Sequence, residues 1–265
     1  VSANGGTFSS STLSAVSTFC VSIDREPGLR AAILRCNLFC GSDLAACLVP
    51  LYRGASLGGT QLGNSTDTNN GPFVSGDFEE RNSGGGLKGD GTAKYLDTGL
   101  SPSNITSLLS LHISASGTSM ETSGNTMAVG AFNGGAGVGP DIYALDIYAS
   151  YVNGRSARFS NYNSGQFPVV TTPGTSESHI IGTRTSATSA VIYRGGSSAA
   201  SNSTSVSPTS HTRNFFVFAL NSSGTANTFS AARLRMYSIG NGLTAAQALA
   251  FSNAVIAFNT ELGRA

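Results

Sequence analysis

Polar and apolar positions alternate along RLRMYSIG near the end of the chain, and the period then changes. Over 233–239, Leu234 and Met236 fall on one face and Arg233 and Arg235 on the other, as in a half-buried strand. Gly240, Asn241 and Gly242 tolerate positive φ and predict a turn. Thr244 and Gln247 then form a capping box. Leu249, Val255, Ile256 and Leu262 recur at helical spacing up to a stop at Gly263. A helix over 244–262 is expected, with Leu249 and Ile256 on its core face.

Upstream, short apolar alternations arrive at regular intervals. Strands are predicted at 94–98, 108–114, 126–131, 142–150, 157–160, 179–183, 190–193, 204–206 and 214–220, most of them separated by Gly, Asn, Ser or Pro. No helical pattern alternates with them, so a parallel sheet is not expected. Many short strands with frequent turns predict a mainly β protein, an antiparallel two-sheet β-sandwich or barrel.

The first fifth of the chain reads differently. Residues 1–9 look like a flexible or docking arm. Leu13, Val16, Phe19 or Cys20, and Ile23 share one helical face, and Pro27 with Gly28 ends that helix. A second short helix is expected over 29–39, and 44–52 is a further apolar segment. An N-terminal arm and helical segment over 1–53 therefore precedes a sandwich over 54–265. Residues 54–94, dense in Gly, Asn, Ser and Thr, predict long surface loops with one short strand near Phe73 and Val74.

Composition narrows the class. The chain has 265 residues, of which 11% are charged and 40% hydrophobic, with 33 glycines and a net charge of +1. At this length about 75% of the unfolded surface is buried on folding, so a substantial core forms and disorder is not expected. A near-neutral balance excludes nucleic acid and anionic membrane as main partners, since both attract a basic field. No apolar run approaches the ~20 residues of a membrane span. VSANGGTFSSS lacks the basic and apolar regions of an intact signal peptide. Few charges and many small side chains suit close packing against neighbouring subunits, so a homo-oligomer is expected.

The segments LKGDGTAKYLDTGL, NFFVFAL and ARLRMYSIGNGLTAAQALAFSNAVIAFNTELGR, with NLFCGSDLAACLVPLYRG at 37–54, carry a resemblance. The chain resembles the concanavalin A-like, laminin-G-like jelly-roll proteins of tailed-phage and prophage virions and related bacterial surface proteins. That resemblance implies two antiparallel sheets with the C-terminal helix laid beside them. It also implies a virion protein without enzymatic activity, acting through contacts with other virion proteins: a capsid decoration protein, a fibre or a tail-tip adhesin. A shared fold does not by itself assign a function.

Several constellations bear on chemistry. Cys20, Cys36, Cys40 and Cys47 permit three disulfide pairings or four buried thiols, and their spacing fits no common zinc module. Calcium is the one cofactor the resemblance admits, with Asp90 and Asp97, and behind them Asp67 and Asp77, as hard oxygen ligands. Tyr143, Tyr148, Tyr151 and Tyr162, with Phe159, Arg155 and Arg158 interspersed, form the candidate surface of a carbohydrate-binding adhesin for host glycans. A glycan-processing enzyme is a weaker alternative: the nearest acid pair, Asp141 and Asp146, is five apart and diverges on a strand, as do Glu79 and Glu80. Gly54-Ala-Ser56-Leu-Gly58 matches a nucleophile elbow, but no helix can follow it. His112, His179 and His211 are scattered and read as structural.

Overall fold

The computed structural model of the chain describes residues 1–53, 62–118, 125–135, 138–149, 155–161, 169–172 and 179–264. A 3₁₀ turn at Ser2–Asn4 precedes helices α1 (Ser10–Arg25) and α2 (Leu29–Ala32), strand β1 (Ile33–Asn37), helix α3 (Leu44–Cys47) and strand β2 (Tyr52–Arg53). Short strands follow: β3 (Thr68–Asn70), β4 (Phe78–Glu79), β5 (Gly86–Lys88) and β6 (Tyr95–Asp97). The long strands are β7 (Leu111–Thr118), β8 (Asn125–Gly135), β9 (Val138–Ala149) and β10 (Arg155–Asn161), with β11 (Val169–Thr172) beside them. Then come β12 (Ile180–Ser186), β13 (Ser189–Arg194), β14 (Ser197–Asn202), β15 (Phe216–Val217), β16 (Leu220–Ser222) and β17 (Thr225–Asn227). The last pair is β18 (Arg233–Gly240) and α4 (Ala245–Glu261).

The strands form two sheets, so the expected β-sandwich is the observed fold. One sheet runs β14-β13-β12-β7-β18-β1-β2, with β5 also on β18 and β4 on β5. The other runs β11-β10-β9-β8-β15-β6-β3, with β16 and β17 appended at β8. Pairing is antiparallel except where β16 lies parallel to β8. The inner core joins Ile113 and Ala115 of β7 and Tyr237 and Ile239 of β18 to Val129, Tyr143, Leu145 and Phe159 of the facing sheet. A Cβ on Gly182 would come within 2.3 Å of the Phe159 ring, so only glycine lets the sheets approach there.

A second core lies on the outer face of the β14-to-β2 sheet. Phe19 and Ile23 of α1 and Phe251, Val255 and Phe258 of α4 pack over Cys36, Ile181, Tyr193 and Met236. Phe19 meets Phe251 and Phe258 with ring centroids 6.4 and 5.9 Å apart, locking the two helices together. The molecule is therefore three layers: sheet, sheet and a helical cover.

That third layer accounts for several departures from expectation. Strand β18 is covered on both faces, so Arg235 is buried and donates to the Ser83 carbonyl instead of facing solvent. Leu249 and Ile256 do not pack on the core; they are 48% and 45% exposed, and Ala248, Phe251, Val255 and Phe258 form the buried face. On α1 the buried residues are Thr12, Ala15, Phe19 and Ile23, while Leu13 is exposed. The helix expected over 29–39 stops at Ala32, because Ile33 to Asn37 pair with β18. That pairing also ties the 1–53 segment into the sandwich.

The expected arm is held down: Thr7 donates its amide and hydroxyl to Asp43 Oδ2 at 3.1 and 3.0 Å, and Gly6 is buried. The strand expected at Phe73 forms instead at Thr68–Asn70, with Phe73 in the core, and the one expected at 204–206 forms at Ser197–Asn202. The Gly54–Gly58 motif lies outside the described residues. Among the described residues no helix is long and apolar enough to cross a membrane.

Candidate functional site

The turn at 240–242 seats the start of α4 on the sheet. The Asn241 amide donates to Ala32 O (2.8 Å), that of Gly242 to Ser110 Oγ (3.0 Å) and that of Leu243 to Thr183 Oγ1 (2.8 Å). Thr244 and Gln247 then cap the helix reciprocally, as their spacing predicts. Beside this helix start, α4 leaves part of the sheet uncovered.

A cleft of about 250 Å³ opens there, lined by Thr183 and Thr185 of β12, Ser189, Val191 and Tyr193 of β13, and Leu243, Thr244 and Ala245. Strand geometry explains the floor: 183 and 185, and 189, 191 and 193, are spaced by two and so share one face. The apolar part is Val191, Leu243 and the Tyr193 ring; hydroxyls make up most of the rest. Tyr193 is 8% exposed, and its ring belongs to the core under the helical cover. Burial raises the pKa of that phenol, so it is a neutral donor at ordinary pH. Among the described residues no charged side chain lines the cleft. Its chemistry is that of a small polar ligand held by hydroxyl groups against an apolar wall.

None of the described residues expected to form a glycan surface lines the cleft. Tyr143 is fully buried between the sheets, donates its hydroxyl to Thr209 O (2.8 Å) and stacks 5.4 Å from His211, so it cannot present a ring to a sugar. Phe159 is likewise core. Tyr148 and Arg155 sit on neighbouring strands β9 and β10, where Tyr148 pairs with Ser156 and Arg155 with Ala149. Tyr151 and Tyr162 lie outside the described residues.

The proposed calcium ligands are each engaged by groups of the protein itself. Asp90 Oδ1 accepts the amides of Thr92, Ala93 and Lys94 at 2.9–3.0 Å. Burial opposes its charge, but those amides outweigh it and lower its pKa to about 2. Asp97 accepts from the Gly99 amide and Asn214, and Asp77 pairs with Lys94 at 2.6 Å. Asp67 is fully buried against Arg35. Among the described residues no three His, Cys, Asp or Glu side chains form a metal cluster.

All four cysteines are free thiols. Cys36, Cys40 and Cys47 are buried and Cys20 is half-buried; burial pushes the Cys40 thiol up to about 12, which keeps it protonated and inert. Ser252 Oγ stands 3.2 Å from His179 Nδ1, the spacing of a nucleophile and its base. Both are sealed at the contact between α4 and the sheet, at 0% and 1% exposure, so no substrate reaches them.

The cleft residues carry a signal in the sequence only as Thr and Ser at alternate positions of 183–193. What that pattern lacks is which strand face a helix covers.

No family model matches the sequence, and comparison with curated proteins gives no match. Solved structures do resemble the fold. The Trypanosoma rangeli sialidase in complex with 2,3-difluorosialic acid aligns over 91% of this chain and 38% of its own, with a TM-score of 0.50 and 14% identity. The Ruminococcus gnavus IT-sialidase CBM40 aligns over 62% of this chain and 96% of its own, with a TM-score of 0.47 and 12% identity. The NanB sialidase from Streptococcus pneumoniae aligns over 60% of this chain, which spans 26% of that enzyme's length, with a TM-score of 0.45 and 12% identity. At such identities the likeness is one of fold: this chain is a β-sandwich similar to part of a larger sialidase.

Proposed function

We propose that this chain is a carbohydrate-binding module without catalytic activity of its own, and that its site is the cleft beside the start of α4. The observation that carries this reading is the lining of the cleft, where the hydroxyl-bearing Thr185, Ser189, Tyr193 and Thr244 are gathered with the apolar Val191 and Leu243. Sugars offer that same combination of hydroxyls and apolar ring faces. A glycan array tests it. Specific hits are expected, weakened about tenfold by Tyr193→Phe, which removes one hydroxyl from the cleft and leaves the ring in place. An array without hits, or hits that Tyr193→Phe leaves unchanged, defeats the assignment.

A second reading is a structural subunit of a tailed-phage particle, repeated against copies of itself and other virion proteins. It draws on the half-exposed Leu249 and Ile256 of α4 and Leu13 and Val21 of α1, apolar residues on helices that carry few charges. Mass spectrometry of purified particles decides it: the chain is expected in many copies, and particles that lack it rule the reading out.

A further inference from the structure

Thr183 and Thr185 line the cleft, so Arg184 between them points to the opposite face of the sheet, away from it. Arg184 is 2% exposed, yet it stands next to the surface: Thr185, Ser186 and Thr188, which follow it into the β12–β13 turn, are all exposed. Its Nη1 donates to the carbonyls of Ser186 (3.2 Å) and Ala187 (2.7 Å). Its Nε is buried without a hydrogen-bond partner, and among the described residues no carboxylate pairs with it. Burial lowers its pKa, with no neighbouring charge to offset that, but a guanidinium stays charged at neutral pH. Arg35 is the contrast: fully buried, it is paired with Asp67 at 2.7 Å. A buried charge without a partner is costly, and an incoming anion removes that cost.

A second observation comes from the sequence. Between Glu177 and Glu261 the chain holds Arg184, Arg194, Arg213, Arg233 and Arg235 and no Asp, Glu or Lys, so this stretch is positive throughout. The Ala187 carbonyl that accepts from Arg184 also accepts from Val206 N at 3.1 Å, which brings the segment 203–207 to the guanidinium. Around the buried Val206, the exposed Ser203, Thr204, Ser205 and Ser207 supply hydroxyls and no competing charge.

We infer that Arg184 anchors an oxyanion site at the β12–β13 turn. With Nη1 engaged by two carbonyls, Nε and Nη2 form the remaining edge of the guanidinium. Parallel N–H groups on that edge match two oxygens of a phosphate, sulfate or carboxylate group. The site lies across the sheet from the cleft and does not depend on the glycan reading.

The test is an NMR titration of the full chain with sodium phosphate, with chloride holding the ionic strength constant, following the arginine Nε–H resonances. That of Arg184 is expected to move saturably with phosphate. Arg184→Lys, which keeps the charge and loses the fork, should weaken the response of the Ser186 and Ala187 amides about tenfold. Phosphate should also raise the melting temperature of the wild type more than that of Arg184→Met. Both proteins share the general effect of the salt, so the difference reports the site. Acetate and phenyl phosphate, run in parallel, separate a free ion from a group on a larger ligand. A site that takes acetate and rejects the phenyl ester holds a free ion, and one that takes all three admits a larger ligand; either supports the assignment. An Arg184 resonance that phosphate leaves in place overturns it, whatever the variants do. So does a response to chloride equal to that to phosphate, or a gain in melting temperature that Arg184→Met retains in full.

Discussion

Asp67 divides its two carboxylate oxygens among three buried side chains. Oδ1 accepts from Arg35 Nη2 at 2.7 Å and from the Tyr237 hydroxyl at 2.6 Å, and Oδ2 accepts from Asn37 Nδ2 at 2.8 Å. Arg35 Nη1 reaches the carbonyls of Asn64 and Leu62 at 2.9 and 3.3 Å, so the guanidinium is well satisfied. Burial works against the Arg35 charge, but Tyr237 and Asp67 more than offset it, and its pKa stays above the ordinary value. Removing one partner of such a network leaves the other charge buried alone. Asp67→Ala should therefore cost about 3–5 kcal/mol of stability, and Tyr237→Phe only about 1–2 kcal/mol. Urea denaturation measures both, and equal costs would show that the ion pair is not the dominant element. The sequence suggests Asp67 only as a loop carboxylate at a calcium rim. Its partners Arg35 and Tyr237 lie 32 and 170 positions away, and no local period records a contact at that range.

Helix α4 shows what periodicity conveys about an element and what it withholds. Its start, its capping box and its stop near Gly263 are legible because they depend on residues within a few positions of each other. Its orientation is not. Apolar residues surround the whole helix and only Glu261 within it is charged, so no polar face marks the solvent side. The helix buries Ser252 and Asn259 and leaves Leu249 and Ile256 half-exposed. Three substitutions separate the faces. Leu249→Asp or Ile256→Asp should change stability by no more than about 1 kcal/mol, whereas Phe251→Ala should cost about 3–5 kcal/mol through the cavity left against Phe19 and His179. Thermal melts of the three variants check this, and a large loss from either aspartate would mean that the outer face is covered after all.

At the scale of the molecule, the two-sheet class follows from many short alternating segments. The assignment of strands to sheets does not, because pairing β1 with β18 joins residues about two hundred positions apart. That arrangement carries a pH consequence. His112 on β7 and His179, the residue just before the neighbouring strand β12, lie beneath α4, with Phe251 against both rings. Ser238, Asn241 and Ser252 are their polar partners, and no carboxylate is among them. Burial lowers the pKa of His112 to about 4; burial, with the charge of His112 adding to it, lowers that of His179 to about 3. Above pH ~6.5 both are neutral, folded or unfolded, and contribute no pH dependence. Below it the unfolded chain takes up protons that the folded one refuses, so stability falls as pH drops toward the folded values. The two histidines together should give a slope approaching about 2.7 kcal/mol per pH unit. Carboxylates contribute mainly below about pH 5, so the window between pH 6.5 and 5 isolates the histidines. Urea midpoints across that window should decline steeply in the wild type and less so in His179→Gln. A flat profile would mean that one or both rings accept a proton within the fold, and that the helical cover opens to water more readily than its packing implies.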